Sequence, residues 1–245
     1  MRFQPSTSQE SMIFSCDVCR DTGWIETSEK AFKRCSCVEK QRMERLWQQY
    51  GVKPSKVKKI NNYIPHDALT TKAKERAVEY VKGSETLVDM ENNWFALLGQ
   101  PGAGKSHLVM AIGAALLNKN LKVVYMPYTE VIKELKGNAN NQDNYEKLMS
   151  RYQMAEVLVI DDLFKDKVKN GRIVADLSDV DIKHIYPLLN YRYYNSLPTV
   201  ISSECTPEIL INLDEALGGR ILERCITRIV FKGNEYDFRI REFCK

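Results

Sequence analysis

Eight consecutive residues, Gly99-Gln100-Pro101-Gly102-Ala103-Gly104-Lys105-Ser106, have the types and spacing needed to hold a polyphosphate. They match the pattern G-x4-G-K-S/T in full. Glycines let backbone N–H groups approach phosphate oxygens, and a helix opening at Lys105 aims the positive end of its dipole at the same anion. Lys105 is placed to neutralise β- and γ-oxygens and the Ser106 hydroxyl to ligate Mg²⁺, so the expected ligand is ATP with Mg²⁺. The competing reading is a glycine-rich turn with an exposed lysine. The apolar strand before the loop and the apolar helix after it argue against that.

Downstream, the apolar run Val157-Leu158-Val159-Ile160 ends in Asp161-Asp162. The carboxyl end of a buried parallel strand is where open α/β sheets bind ligands. Asp161 is the expected holder of Mg²⁺ through water, and Asp162 the group that orients or deprotonates the attacking water. An Asp-Asp pair alone more often caps a helix; the strand before it and the phosphate loop upstream make this one informative.

A third constellation is Cys16-x2-Cys19-x15-Cys35-x-Cys37. Four thiolates in two close pairs satisfy the tetrahedral preference of a structural Zn²⁺, although the second pair is one residue shorter than a C-x2-C knuckle. A module this small is not stable on burial alone, which gives a metal a role in its folding. The other cysteines, Cys205, Cys225 and Cys244, read as small buried hydrophobes.

These groups need a scaffold, and the patterning supplies one. From Thr70 onward helical and strand patterns alternate, which predicts an α/β fold with a parallel sheet flanked by helices. Strands are expected at 93–99, 122–126, 157–161, 198–202 and 228–231. Helices are expected at 105–117, at 180–194 and near 217–225, with further helical faces at Ala73, Ala77, Tyr80 and Val81, at Val131, Ile132 and Leu135 behind a Thr129 cap, and at Tyr145, Leu148, Met149 and Tyr152. Met43, Leu46, Trp47 and Tyr50 mark one more, able to close over the cysteine module. The expected organisation is a zinc module at 1–50, a basic connector at 51–69 and an ATPase domain at 70–245.

With 245 residues, 44% hydrophobic and 28% charged, the chain suits one full domain plus a small appendage and fits neither a disordered nor a membrane class. No run approaches the ~20 apolar residues that span a bilayer, and Met1 to Ser15 lacks the apolar stretch of an export signal. A cytoplasmic protein with reduced thiols is expected. The net charge of +4 says little, but ten Lys/Arg against four Glu lie between Glu26 and Ile60. That stretch is either a solvated helix surface or a contact for nucleic acid or an acidic partner.

Four passages together resemble the DnaC-like family of bacterial and phage helicase loaders, which are AAA+ ATPases: Gly99 to His107, Val159-Ile160-Asp161-Asp162-Leu163, Pro198 to Glu204, and Asp214-Glu215-Ala216-Leu217-Gly218-Gly219-Arg220-Ile221. The resemblance covers roughly residues 61–241. It implies that His107 belongs to the nucleotide-binding loop and that Arg220 is an arginine finger reaching ATP on a neighbouring subunit. Arg239 is implied as a sensor-2 arginine, and Ser203 or Glu204 fills the sensor-1 position after its strand. A guanidinium suits both arginine roles, because its forked donors match phosphoryl oxygens where charge develops. Aspartate where AAA+ proteins usually carry glutamate, at 162, implies slow, partner-stimulated hydrolysis. The implied partners are a hexameric replicative DNA helicase, single-stranded DNA and, with ATP, further copies of the chain. Rival readings are an IstB-like transposition ATPase, a zinc-ribbon nucleic-acid binder with a regulatory ATP site, and a small-molecule kinase. The kinase would carry its cysteines in a lid after the phosphate loop, whereas here they precede it.

Overall fold

The computed structural model describes residues 14–27, 31–35, 37–38, 41, 45, 58–169, 171–233 and 236. It divides into two compact units, Met1–Pro54 and Ser55–Lys245. In the first, β1 (Trp24–Glu26) and β2 (Phe32–Arg34) form an antiparallel hairpin with Trp24 opposite Arg34. The expected helix face at Met43, Leu46, Trp47 and Tyr50 lies outside the described residues.

The second unit runs α1 (Ala68–Lys82), β3 (Trp94–Gly99), α2 (Lys105–Asn118), β4 (Val123–Pro127), α3 (Tyr128–Gly137), α4 (Gln142–Gln153), β5 (Val157–Leu163), β6 (Val168–Lys169), β7 (Arg172–Ile173), α5 (Asp179–Tyr194), β8 (Thr199–Ser203), α6 (Pro207–Leu213), α7 (Glu215–Arg224) and β9 (Cys225–Phe231). Five strands form one sheet in the order β4-β5-β8-β3-β9, and every pair in it is parallel. Alternation along β3 explains the layers. Trp94, Ala96 and Leu98 join Leu158, Ile160 and Ile201 in a core closed by α3, α4, α5, α6 and α7. Phe95 faces the other way, where Tyr80 of α1 packs 5.2 Å from its ring. Parallel strands covered on both faces read as near-continuous apolar runs, and β3 is buried at all six positions.

Arg192 of α5 ties the sheet to its helices. Fully buried, it donates to the Tyr152, Gln153 and Ala155 carbonyls at 3.1, 3.0 and 2.8 Å, to the Pro198 carbonyl at 2.6 Å and to Thr199 Oγ1 at 3.0 Å. A fork of five donors suits this site, because one side chain reaches carbonyls at the end of α4, in the turn before β5 and just before β8 at once.

Local chemistry moved several expected boundaries. Thr129 does not cap α3: the helix starts at Tyr128 after Pro127, and the Thr129 hydroxyl donates to Glu130 at 2.9 Å. Strand β5 does not stop at its acids but continues to Leu163. Helix α6 was not expected, although Thr206 caps it by accepting the Ile209 amide and Pro207 opens it. The 51–69 stretch is partly outside the described residues; of the rest, Tyr63 packs on the phosphate loop and Asp67 caps α1 in a capping box with Thr70. Among the described residues, no helix is long and apolar enough to cross a membrane.

Candidate nucleotide site and cysteine cluster

The loop between β3 and α2 is shaped by contacts that leave no room for side chains. Gly99 has φ +96°, and a Cβ there would stand 2.2 Å from the Phe231 carbonyl oxygen; Gly104 has φ +78°, with a Cβ position 2.6 Å from Tyr63 Cε2. Neighbouring strands fix the base of the loop. The Gly99 amide donates to the Cys205 carbonyl at 3.0 Å and the Gln100 amide to the Phe231 carbonyl at 2.8 Å. On the outer side the Tyr63 hydroxyl donates to the Ala103 carbonyl at 2.9 Å, and the Tyr63 ring meets His107 edge-on. His107 in turn lies 3.0 Å from the Lys59 carbonyl through Nε2.

Lys105 folds back over this loop, donating to the Gly99 and Gln100 carbonyls at 2.7 and 2.5 Å. Burial pulls its pKa down to about 8, against the Glu204 and Asp162 carboxylates, which favour the charge. A buried ammonium whose hydrogen bonds go to backbone carbonyls is suited to an anionic ligand.

Across the cleft, parallel pairing of β4, β5 and β8 brings two hydroxyls to Asp161. Tyr125 Oη donates to its Oδ2 at 2.8 Å, and Ser202 Oγ donates to its Oδ1. Burial, with the Asp161 carboxylate beside it, pushes the Tyr125 hydroxyl well above its ordinary range, so it stays a donor. Ser202 also accepts the Asp162 amide at 2.9 Å. Asp162 stands at φ +58°, which a short polar side chain tolerates better than most, and this turns it into the cleft.

The result is a cleft of about 470 Å³ lined by Pro101, Gly102, Ala103, Gly104, Lys105, Ser106 and His107 on one side and by Asp162, Lys165 and Glu204 on the other. Lys58, Asn62, Tyr63, Ile64 and His66 complete the wall. The structure thus brings most of the expected loop residues together with Asp162; Gly99, Gln100 and Asp161 stand behind that lining. Ser203 is turned away: its hydroxyl donates to the Leu163 carbonyl at 2.6 Å and accepts the Cys205 amide. Of the two sensor-1 candidates, only Glu204 lines the cleft. Arg220 is outside the lining, on α7, with its guanidinium 5.1 and 5.6 Å from the Tyr186 and Tyr193 rings. Arg239 lies outside the described residues. Lys165, Tyr125 and Ser202 escaped sequence reasoning because their position depends on strand register and a turn that no motif marks.

The family model for IstB-like ATP binding proteins matches residues 32–238. The chain belongs to that family. Among curated relatives of this IstB-like chain, the uncharacterized protein YqaM of Bacillus subtilis is 38% identical over 217 residues, 87% of this chain and 67% of the relative. The phage-like element PBSX protein XkdC of the same bacterium is 34% identical over 251 residues, 97% and 90%. A crystal structure of the DnaC helicase loader superposes with a TM-score of 0.59 at 22% identity, covering 71% of this chain and 96% of the other. The fold is that of AAA+ ATPases, a family that generally binds and hydrolyses ATP with Mg²⁺. In this IstB-like site the loop amides and Lys105 would hold the phosphates, and Ser106 with Asp161 the Mg²⁺; the metal would supply charge neutralisation and Asp162 would supply a base or an anchor for water.

The first unit contains a separate site. The sulfurs of Cys16, Cys19, Cys35 and Cys37 all lie within 4.8 Å of one another, with Cys16 to Cys35 at 3.8 Å and Cys19 to Cys37 at 3.3 Å. Tetrahedral Zn–S bonds of about 2.3 Å place sulfurs about 3.8 Å apart, so the donor set fits zinc. Asp21 fixes the first knuckle by accepting the Ser15 and Cys16 amides, each at 3.0 Å.

Proposed function

We propose that the chain is an ATP-controlled loader of a hexameric replicative DNA helicase onto single-stranded DNA, with hydrolysis at interfaces between subunits. The observation that carries the reading is a nucleotide cleft equipped with Lys105, Ser106, Asp161 and Asp162 but with Arg220 outside its lining. If Arg220 is the finger, its place outside the lining leaves it to serve a neighbour's ATP, and in this reading the active unit is an oligomer. The cysteine unit binds one structural Zn²⁺ and grips the helicase, and the basic stretch before the ATPase domain follows the DNA backbone. Arg239 acts as the sensor-2 arginine and Glu204 or Ser203 at the sensor-1 position. Cytoplasmic residence follows from this role.

The test mixes two inactive variants. Arg220→Ala should bind ATP and hydrolyse it poorly, since arginine fingers contribute ~10³–10⁵ in rate, and Lys105→Ala should not bind ATP. Together they should recover part of the activity, because one supplies the finger and the other the nucleotide. A mixture that stays inactive, beside a wild-type ATPase rate per chain that is independent of protein concentration, defeats the reading.

The family match favours a second reading, an IstB-like ATPase that acts with a transposase on DNA. Capture of the host replicative helicase from pure components in the presence of ATP supports the first; capture of a transposase, with no helicase bound, supports the second.

A further inference from the structure

Lys165 belongs to no motif, yet it stands where the site's chemistry converges. Its Nζ is 2.7 Å from Asp162 Oδ2 and 3.2 Å from Glu204 Oε1, so one ammonium bridges both acids that line the cleft. The exposures of the three side chains differ: Glu204 13%, Asp162 31% and Lys165 47%. The acids are set deeper into the wall while the lysine side chain is open to the cleft solvent.

The backbone around it is firmly packed. Phe164, at φ +58°, buries its ring edge-on against Tyr128 at 5.5 Å and turns the chain so that Lys165 comes back over the cleft. Two residues on, Lys167 is buried and paired with Asp181 at 2.8 Å, and Asp181 is held again by Lys136 at 2.6 Å and by the Ser178 hydroxyl at 2.7 Å. Lys165 is therefore a half-exposed cation on an anchored stem.

Charge completes the argument. Asp162 and Glu204 face the cleft that receives a triphosphate, and each repels it. For Asp162 to act on the attacking water, the γ-phosphate must come within about one water of its carboxylate, which is also within reach of the Lys165 ammonium. ADP lacks that group and leaves the bridge undisturbed.

We propose that Lys165 distinguishes ATP from ADP within its own subunit: its ammonium bridges Asp162 and Glu204 in the empty or ADP-filled cleft and moves to the γ-phosphate when ATP enters. The move also releases the Asp162 carboxylate for water. The inference rests on the nucleotide reading of the cleft, and concerns a cis contact separate from the Arg220 finger.

The experiment measures dissociation constants of the full chain for Mg-ADP and for a non-hydrolysable Mg-ATP analogue. Lys165→Met should weaken the analogue at least tenfold and ADP less than twofold, and Lys165→Arg should keep part of the preference. Glu204→Gln, which frees the ammonium and removes a repelling charge, should tighten the analogue more than ADP. Equal weakening of both nucleotides by Lys165→Met, which a merely structural bridge would produce, or no change in either, overturns the proposal while leaving the nucleotide site standing. Failure of the wild type to bind either nucleotide overturns both.

Discussion

Removing Ser202 Oγ tests the hydroxyl pair around Asp161. This oxygen has two duties: it donates to Asp161 Oδ1 and accepts the Asp162 amide at 2.9 Å, while Tyr125 Oη supplies the second donor to Asp161 at 2.8 Å. Asp161 is buried, so neither lost partner is fully replaced by water. A hydrogen bond to a charged group contributes about 1.5–3 kcal/mol and a neutral one about 0.5–1.5. Ser202→Ala should therefore cost roughly 2–4.5 kcal/mol and Tyr125→Phe roughly 1.5–3 kcal/mol. The assay is urea unfolding of the nucleotide-free protein, with an unchanged m-value showing that the same surface is exposed. In an Asp161→Ala background Ser202→Ala should cost less by about 1 kcal/mol or more, because only the amide contact is left to lose. A cost below about 0.5 kcal/mol for Ser202→Ala, or one indifferent to Asp161, would refute the reasoning.

Three other perturbations reach different parts of the molecule. Arg192→Met should destabilise by about 3–5 kcal/mol in the same urea assay, since carbonyls of α4 and β8 lose a shared buried donor; a change under about 1 kcal/mol would show that they find other partners. Gly104→Ala, whose Cβ would stand 2.6 Å from Tyr63 Cε2 at φ +78°, should weaken Mg-ATP binding at least tenfold by calorimetry, and adding Tyr63→Leu should restore the steric share of that loss. The purified protein should contain about one zinc per chain by elemental analysis, and Cys37→Ser should lose it while Mg-ATP still raises the melting temperature; a metal-replete preparation without zinc counts against the site.

The phosphate loop was legible because its chemistry is dictated by backbone geometry that only a glycine pattern satisfies, and β3 and α2 carry unambiguous apolar runs. Asp161 and Asp162 were legible as acids closing an apolar run, although the strand continues through them to Leu163. Tyr125 and Ser202 were not: nothing in either segment shows that β4 and β8 flank β5, and only the register pairing Met126 with Ile160 and Ile160 with Ile201 sets their hydroxyls against Asp161. Lys165 depended on the left-handed turn at Phe164, a bulky residue for which sequence rules expect negative φ. The Thr129 cap failed because Pro127 already sets the entry to α3, whereas the Thr206-Pro207 start of α6 carried a cap signal that went unread. Ser203 and Glu204 are adjacent in a strand's last turn outward, and alternation alone could not say which would face the nucleotide.

The order of strands in the sheet has a consequence for how the protein is made. The glycine-rich loop follows β3, but its base hangs on the Cys205 and Phe231 carbonyls, and β3 is flanked by β8 and β9. During vectorial synthesis the loop therefore leaves the ribosome more than a hundred residues before its scaffold does. Such non-local pairing slows folding and leaves apolar strand edges open in the meantime. A product cut short before β9 would carry the whole motif but lack the Phe231 carbonyl that holds the Gln100 amide, so a truncated copy should bind nucleotide more weakly.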